Sequence, residues 1–382
     1  MVLEHKKEMN HKNMKPGERL QSLDALRGFD MFFIMGLSAL VVKICALFPN
    51  GADCWLATQM GHAAWDGFRH HDTIFPLFLF LAGVSFPFSY AKQQANGSSR
   101  GKIYFKIIKR GVMLVLLGFI YSGLLRFDFE HQRMFSVLAR IGIAWMFAAL
   151  IYINTKPLTR AIICVAILIG YCFLLKIPAP DVPGADPLSM EGNIVGYIDR
   201  TLFPNGRHLY YGNFDPEGLL SALPAIVTAL LGMFAGELVR VPDEKFSGNR
   251  KTLYMLGAAV VMLCAGLIFN KFQPCNKALW NSAFVMYAGT YSVIMFALFY
   301  YIIDVKGWRK WTLPFTVVGM NSITIYLAQR IIPFASINTF FFSGCVSLVP
   351  EQWGKVIYAF TYLLISWLFL YFLYKKKVFL KV

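Results

Sequence analysis

Ten apolar stretches of roughly 20 residues recur along the chain, and each is long enough to cross a hydrocarbon core of about 30 Å as a helix. Their polar flanks mark them near residues 26–48, 72–91, 110–126, 135–153, 161–177, 217–239, 253–270, 281–303, 312–335 and 355–374. The runs are continuously apolar and lack the period-2 alternation of an outer-membrane strand, so helix is the reading. The sequence therefore predicts an all-α, polytopic integral membrane protein with about ten transmembrane helices. Residues 26–374 form one transmembrane domain, flanked by a basic tail at 1–25 and a second tail at 375–382. Only 15% of residues are charged, against about a quarter in soluble domains, which fits a surface facing lipid.

The basic tail carries Lys6, Lys7, Lys12, Lys15 and Arg19 and superficially resembles a signal peptide. The apolar run behind it carries Asp30 and lacks a small-residue cleavage site, so it reads as an uncleaved first span. The formal net charge of +16 would suggest a nucleic-acid partner in a soluble chain. Here the cations sit between apolar runs, and topology accounts for them. The two tails and the loops 92–109, 154–160, 240–252 and 304–311 hold 23 Lys and Arg, whereas the opposite loops hold six: Arg69, Arg133, Arg200, Arg207, Lys271 and Lys277. The positive-inside rule puts both termini in the cytoplasm. Seven Cys show no CxxC or Cys/His ligand spacing, so neither a metal site nor a dense disulfide framework is expected. Cys54, Cys275 and Cys345 fall in loops on the outer side, and three cannot all pair.

Two outer loops, 49–71 and 178–216, are long and polar, which marks them as functional segments. Walker, GxGxxG, HExxH and GxSxG signatures are absent. Inside the spans, a charge normally faces a partner or a wet cavity. Arg27, Asp30, Ile34 and Ser38 share one face of the first helix by spacing, and Arg27 with Asp30 reads either as a structural pair or as part of that face. Arg133 and Arg140 share a face of the fourth span, and Asn321 and Thr324 lie mid-way along the ninth. Together these faces suggest a polar tunnel; each is equally a satisfied interhelical hydrogen bond. His62 stands in GHAAWDGFRHHDTIFPLF, ten residues before Asp72. A carboxylate beside a histidine suits a general base, although His70 and His71, adjacent to Asp72, offer the same chemistry.

The strings RLQSLDALRGFDMFF, HAAWDGFRHHDTIFPLFLFLAGVS, FSVLARIGIAW, GNIVGYIDR, FDPEGLLSALPAI, LLGMFAGELV, NKALWNSAFV and IIDVKGWRKWTLPFTVVGMNSITIY resemble the heparan-alpha-glucosaminide N-acetyltransferase family and its bacterial relatives. The resemblance runs from about residue 19 to 330. It implies a membrane enzyme that takes acetyl from cytosolic acetyl-CoA and places it on a terminal glucosamine amine across the membrane. It also implies that the active-site histidine falls on His62, its following aspartate on Asp72 and the GMN asparagine on Asn321. Homodimers in membrane lipid are a tendency of the family, though no interface is visible in this sequence.

Lysosomal members carry a further lumenal region and an extra span ahead of the RGF motif. The short tail here suggests a bacterial cytoplasmic membrane instead. Ser38 replaces the Asn or Asp that the family commonly has there, which puts a strong-acceptor role at that position in doubt. On this reading the phosphates of acetyl-CoA meet Arg27, Lys109 and Arg110, with Ser38 and Arg140 along its path. Its thioester reaches His62, and the Asn321 amide serves the oxyanion. Direct attack and an acetyl-histidine intermediate both remain open. The alternatives are acylation of another extracytoplasmic glycan on nitrogen or oxygen, and a secondary transporter. A transporter would show matched halves with interrupted helices, and no repeat of RGFDMF or GMNS is present.

Overall fold

The computed structural model describes residues 20–204 and 206–380. The cations of the amino-terminal tail, from Lys6 to Arg19, lie outside the described residues. The described chain is helical, with α1 (Gln21–Cys45), α2 (His70–Ala95), α3 (Arg100–Ser122), α4 (Val137–Asn154) and α5 (Pro157–Leu174) in its first half. A short helix α6 (Ile194–Leu202) precedes α7 (Ala222–Arg240), α8 (Gly248–Phe272), α9 (Ser282–Val305), α10 (Leu313–Gly319), α11 (Ser322–Ile331), α12 (Phe334–Ser347) and α13 (Glu351–Lys375). Eight of the described helices are long and apolar enough to cross a membrane: α1, α2, α4, α5, α7, α8, α9 and α13. The polytopic all-α architecture is as expected from the apolar runs.

Two expected spans differ in kind. The stretch at 110–126 belongs to α3, which starts at Arg100 and carries Lys102, Lys106, Lys109 and Arg110 in its first half. The stretch at 312–335 is broken into α10 and α11, because Asn321 leaves helical geometry with φ −125° and ψ 27°. The stretch between the expected spans at 312–335 and 355–374 is largely helix α12, and exposed Cys345, expected in a loop, lies on it. All seven cysteines are free. Helix α4 begins at Val137, so Arg133 lies in the preceding loop and shares no helical face with Arg140.

Local chemistry explains where the helices start. Ser99, Ser136, Asn193 and Asn281 cap α3, α4, α6 and α9 by accepting the backbone N–H three residues on. Pro157 opens α5 at a position whose N–H has no helical partner in any case. Helix α1 is not regular: a π-helical turn spans Phe33–Leu37, with Gly36 at φ 140°, a conformation that a side chain would strain. The amide of Gln329 on α11 donates to the Met35 carbonyl at that turn (3.2 Å).

Helices α1 and α10 meet backbone to backbone. A Cβ on Gly28 would stand 1.7 Å from the Phe315 carbonyl oxygen, and one on Gly319 would stand 1.8 Å from that of Asp24. Small residues permit such approach where lipid offers no hydrophobic drive to bring helices together. Two cations counted in the loops are buried ties. Arg160 holds Glu237 through two hydrogen bonds of 2.9 and 3.0 Å, joining α5 to α7, and Lys251 reaches Asp243 at 2.5 Å.

Candidate active site

Asp72 does two jobs at the amino terminus of α2. Its Oδ2 accepts the backbone N–H groups of Arg69 (3.1 Å) and Ala63 (3.3 Å), capping the helix and closing the loop before it. Its Oδ1 lies 2.7 Å from His62 Nδ1. The carboxylate is 1% exposed, while the His62 ring is 54% exposed. An ionised carboxylate is acceptor-only, so Nδ1 donates to it and Nε2 keeps its lone pair toward the open side. The Arg69 guanidinium donates to the His62 carbonyl (2.9 Å), tying down the other end of the loop.

His71 and Ser38 join the same cluster. The His71 ring stands edge-on to that of His62 with centroids 4.6 Å apart, and its Nδ1 is 3.2 Å from Ser38 Oγ. His70 turns elsewhere, packing on Phe33 and Tyr291. Asp72 therefore orients His62, and His71 is its neighbour.

The loops expected on the outer side close on one another. Loop 49–71 pairs with 271–280 through Asp66 and Asn276, bridged in antiparallel fashion, and through Gly67 N–H donating to the Cys275 carbonyl (2.7 Å). This pairing delivers Lys277, whose Nζ lies 3.0 Å from His62 Nδ1, 3.3 Å from Nε2 and 3.6 Å from Asp72 Oδ1. Burial lowers the Lys277 pKa below the ordinary lysine value, against the pull of Asp72 and Glu217. The sequence reading missed Lys277 as a site residue. Its signal was a cation in NKALWN, inside a loop set that holds six.

The loop 178–216 docks through Trp65, which donates to the Leu188 carbonyl (2.9 Å) and packs on Phe214. Arg133 forks onto Asp215 (2.6 and 2.8 Å) and also reaches Glu217. Burial alone would raise the Glu217 pKa, but Arg133, Arg140 and Lys277 hold it below the usual carboxylate range. Asp199 on α6 is fully buried, with Oδ2 lacking a partner among the described residues, and burial pushes its carboxyl up to about 7. The folded protein thus keeps this proton where an unfolded chain has lost it. Loop stability from Asp199 is full below about pH 4 and is lost as the pH rises through about 7. Asp199→Asn should flatten that decline, as read by limited proteolysis of 178–216 between about pH 5 and 8; an unchanged slope would remove Asp199 as its cause.

The remaining expected residues sit apart from His62. Arg140 is buried over Trp280 (4.9 Å) and donates to the carbonyl of Pro216 (2.5 Å) and to the Ser221 hydroxyl, so it braces the FDPEG segment. Asn321 is buried at the α10–α11 break, accepts from Thr324 (3.3 Å), and its amide nitrogen has no acceptor among the described residues. Arg27 contacts Asp24 (3.7 Å), the Leu81 carbonyl (3.2 Å) and Ser85 Oγ; of the two readings offered by the sequence, the pair with Asp30 is not formed. Arg110 lies over Trp145 (4.3 Å), which itself donates to the Ala82 carbonyl, and feels the charge of Arg27. Lys109 is exposed next to it. Arg27 and Ser38 thus both address α2, the first near Ser85 and the second at His71. Fourteen residues separate those levels, about 21 Å of helix at 1.5 Å per residue. A cavity of about 780 Å³ between α1, α12 and α13, lined by Met35, Gly36 and Tyr362 among others, contains none of these residues.

Comparison with known proteins bears on this arrangement. The chain is 28% identical over 430 aligned positions to heparan-alpha-glucosaminide N-acetyltransferase of Mus musculus, covering 96% of this chain and 62% of the relative. To the Homo sapiens protein of the same name it is 26% identical, covering 95% of this chain and 60% of the relative. The chain therefore spans about three-fifths of the length of these curated relatives. The family model for heparan-alpha-glucosaminide N-acetyltransferase, catalytic, matches residues 19–274, which include His62, Asp72, Arg27 and Arg110. With two-thirds of its length inside that match, the chain belongs to the heparan-alpha-glucosaminide N-acetyltransferase catalytic family.

Proposed function

We propose that this protein is a transmembrane acetyltransferase that moves acetyl from cytoplasmic acetyl-CoA to the amino group of a terminal glucosamine-type sugar on the extracytoplasmic side. The observation that carries the reading is the His62–Asp72 contact of 2.7 Å on a loop at one end of α2, with Arg27 and Arg110 gathered at mid-helix, at the level of Leu81–Ser85. Acetyl-CoA is a long molecule with a polyanionic nucleotide end and an uncharged thioester end. Arg27, Lys109 and Arg110 would hold the phosphates, and the thioester would reach His62. The amine must lose a proton to attack a carbonyl, and Nε2 of an imidazole held by Asp72 is placed to take it. The enzyme would sit in a bacterial cytoplasmic membrane, as a homodimer surrounded by lipid.

Sealed vesicles holding labelled acetyl-CoA on the cytoplasmic face and glucosamine on the other test the reading. Label should appear on the sugar. Transfer only when donor and sugar share a side would overturn it.

Orientation has its own test, motivated by the charge asymmetry of 23 to six. In a background without reactive native thiols, an impermeant reagent on intact cells should modify Ser189→Cys and spare Ser98→Cys. The reverse pattern would invert the topology.

A further inference from the structure

We propose that Lys277 is a second catalytic residue, whose ammonium donates a hydrogen bond to the thioester oxygen as the tetrahedral intermediate forms. This rests on the acetyltransferase reading above and names a group that reading does not use.

His62 Nδ1 is committed to Asp72 at 2.7 Å, so the amine must approach Nε2. An attacking nitrogen within hydrogen-bond reach of Nε2 has its target carbonyl carbon about 3–3.5 Å away. Lys277 Nζ already stands 3.3 Å from Nε2, so a small rotation of its flexible stem carries it from the ring to the carbonyl oxygen. Asn321, the sequence-based candidate for this task, contacts Thr324 at the α10–α11 break and makes no hydrogen bond to His62. Lys277 is also anchored for the purpose. Its carbonyl accepts the Trp280 N–H at 3.0 Å, and its neighbour Asn276 is bonded to Asp66 across the two outer loops.

The charged and titratable groups facing Lys277 are His62, Asp72 and His71 from the α2 end, Glu217 from the segment before α7, and Arg140 from α4. Asp72 and Glu217 favour its ammonium form, and Arg140 opposes it. In the step itself, the amine lone pair forms the N–C bond and the carbonyl π pair moves to oxygen, where Lys277 meets it. Collapse of the intermediate expels the C–S pair as CoA thiolate. The amine proton goes to His62 Nε2 and then to the thiolate, so protons and electron pairs balance.

The test uses the full-length protein in membranes, with acetyl-CoA and glucosamine. Lys277→Met should lower kcat by about 10²- to 10³-fold and leave KM for acetyl-CoA near the parent value, because the bond is made only in the transition state. Lys277→Arg should recover most of kcat. Lys277→Cys should be as poor as Lys277→Met until aminoethylation rebuilds an amine, with the parent protein treated alongside. The rebuilt enzyme should show its alkaline limb at lower pH than the parent, because the sulfur withdraws electrons from the amine. A merely structural lysine would not move that limb. Parental kcat in Lys277→Met, a loss confined to KM, or an unmoved limb would each overturn the assignment. A parent enzyme that transfers nothing from acetyl-CoA would instead defeat the underlying reading, and the assignment with it.

Discussion

His62→Ala should lose roughly 10²- to 10⁴-fold in transfer rate, the range of a positioned general base, while still binding acetyl-CoA. Its ring is half-exposed on loop 49–71, and the donor's phosphates are expected near Arg27 and Arg110, about 21 Å along α2. Removing the ring therefore leaves the anchoring cations untouched. Asp72→Asn should be impaired less, because Asn keeps an oxygen for the helix cap while weakening its hold on Nδ1. Direct transfer is preferred to an acetyl-histidine because the His62 ring is 54% exposed, and an acyl-imidazole there would meet water before a sugar arrived. Incubation with labelled acetyl-CoA and no sugar separates the two. Stoichiometric label retained on the protein and chased onto sugar at the steady-state rate would establish the covalent route, and wild-type activity in His62→Ala would remove the residue from the chemistry.

The second large effect concerns folding. Gly28→Val or Gly319→Val should yield protein that does not survive detergent extraction, since even a Cβ at either position would overlap a carbonyl oxygen at under 2 Å. The obstruction is backbone, which cannot rotate aside, so α1 and α10 must separate. Overpacking typically costs about 1–3 kcal/mol and more when nothing can yield. Thermal denaturation by size-exclusion monitoring is the measurement. A folded Gly28→Val with the parental melting temperature would show that the two helices do not rely on this approach.

Much of this architecture was legible in the sequence because the bilayer imposes a length rule that needs no tertiary information. The His62–Asp72 pair was legible too, through local spacing and the resemblance. The break at Asn321 was not, since Gly319 and Asn321 are poor helix formers but glycine is common inside membrane helices and does not by itself end one. Nor was the π-turn, where Gly36 looks like any small residue in an apolar run. Lys277 was hidden for a different reason. It reaches His62 across 215 positions of chain, through a pairing of Asp66 with Asn276 that no local pattern announces. Arg140 stands in surroundings that the sequence does not announce: its Nη2 is engaged by the FDPEG segment, while its Nε has no partner among the described residues.

The joining of loop 49–71 to 271–280 also sets a clock on biogenesis. Chains are made at roughly 5–20 residues per second, and 215 residues separate His62 from Lys277, so about 11–43 s pass between the emergence of one and the other. Through that interval His62 and Asp72 lack the 271–280 loop that pairs with theirs. A ribosome-bound, half-inserted chain thus carries an open imidazole with no lysine beside it, and the centre is completed only after α8 has been threaded.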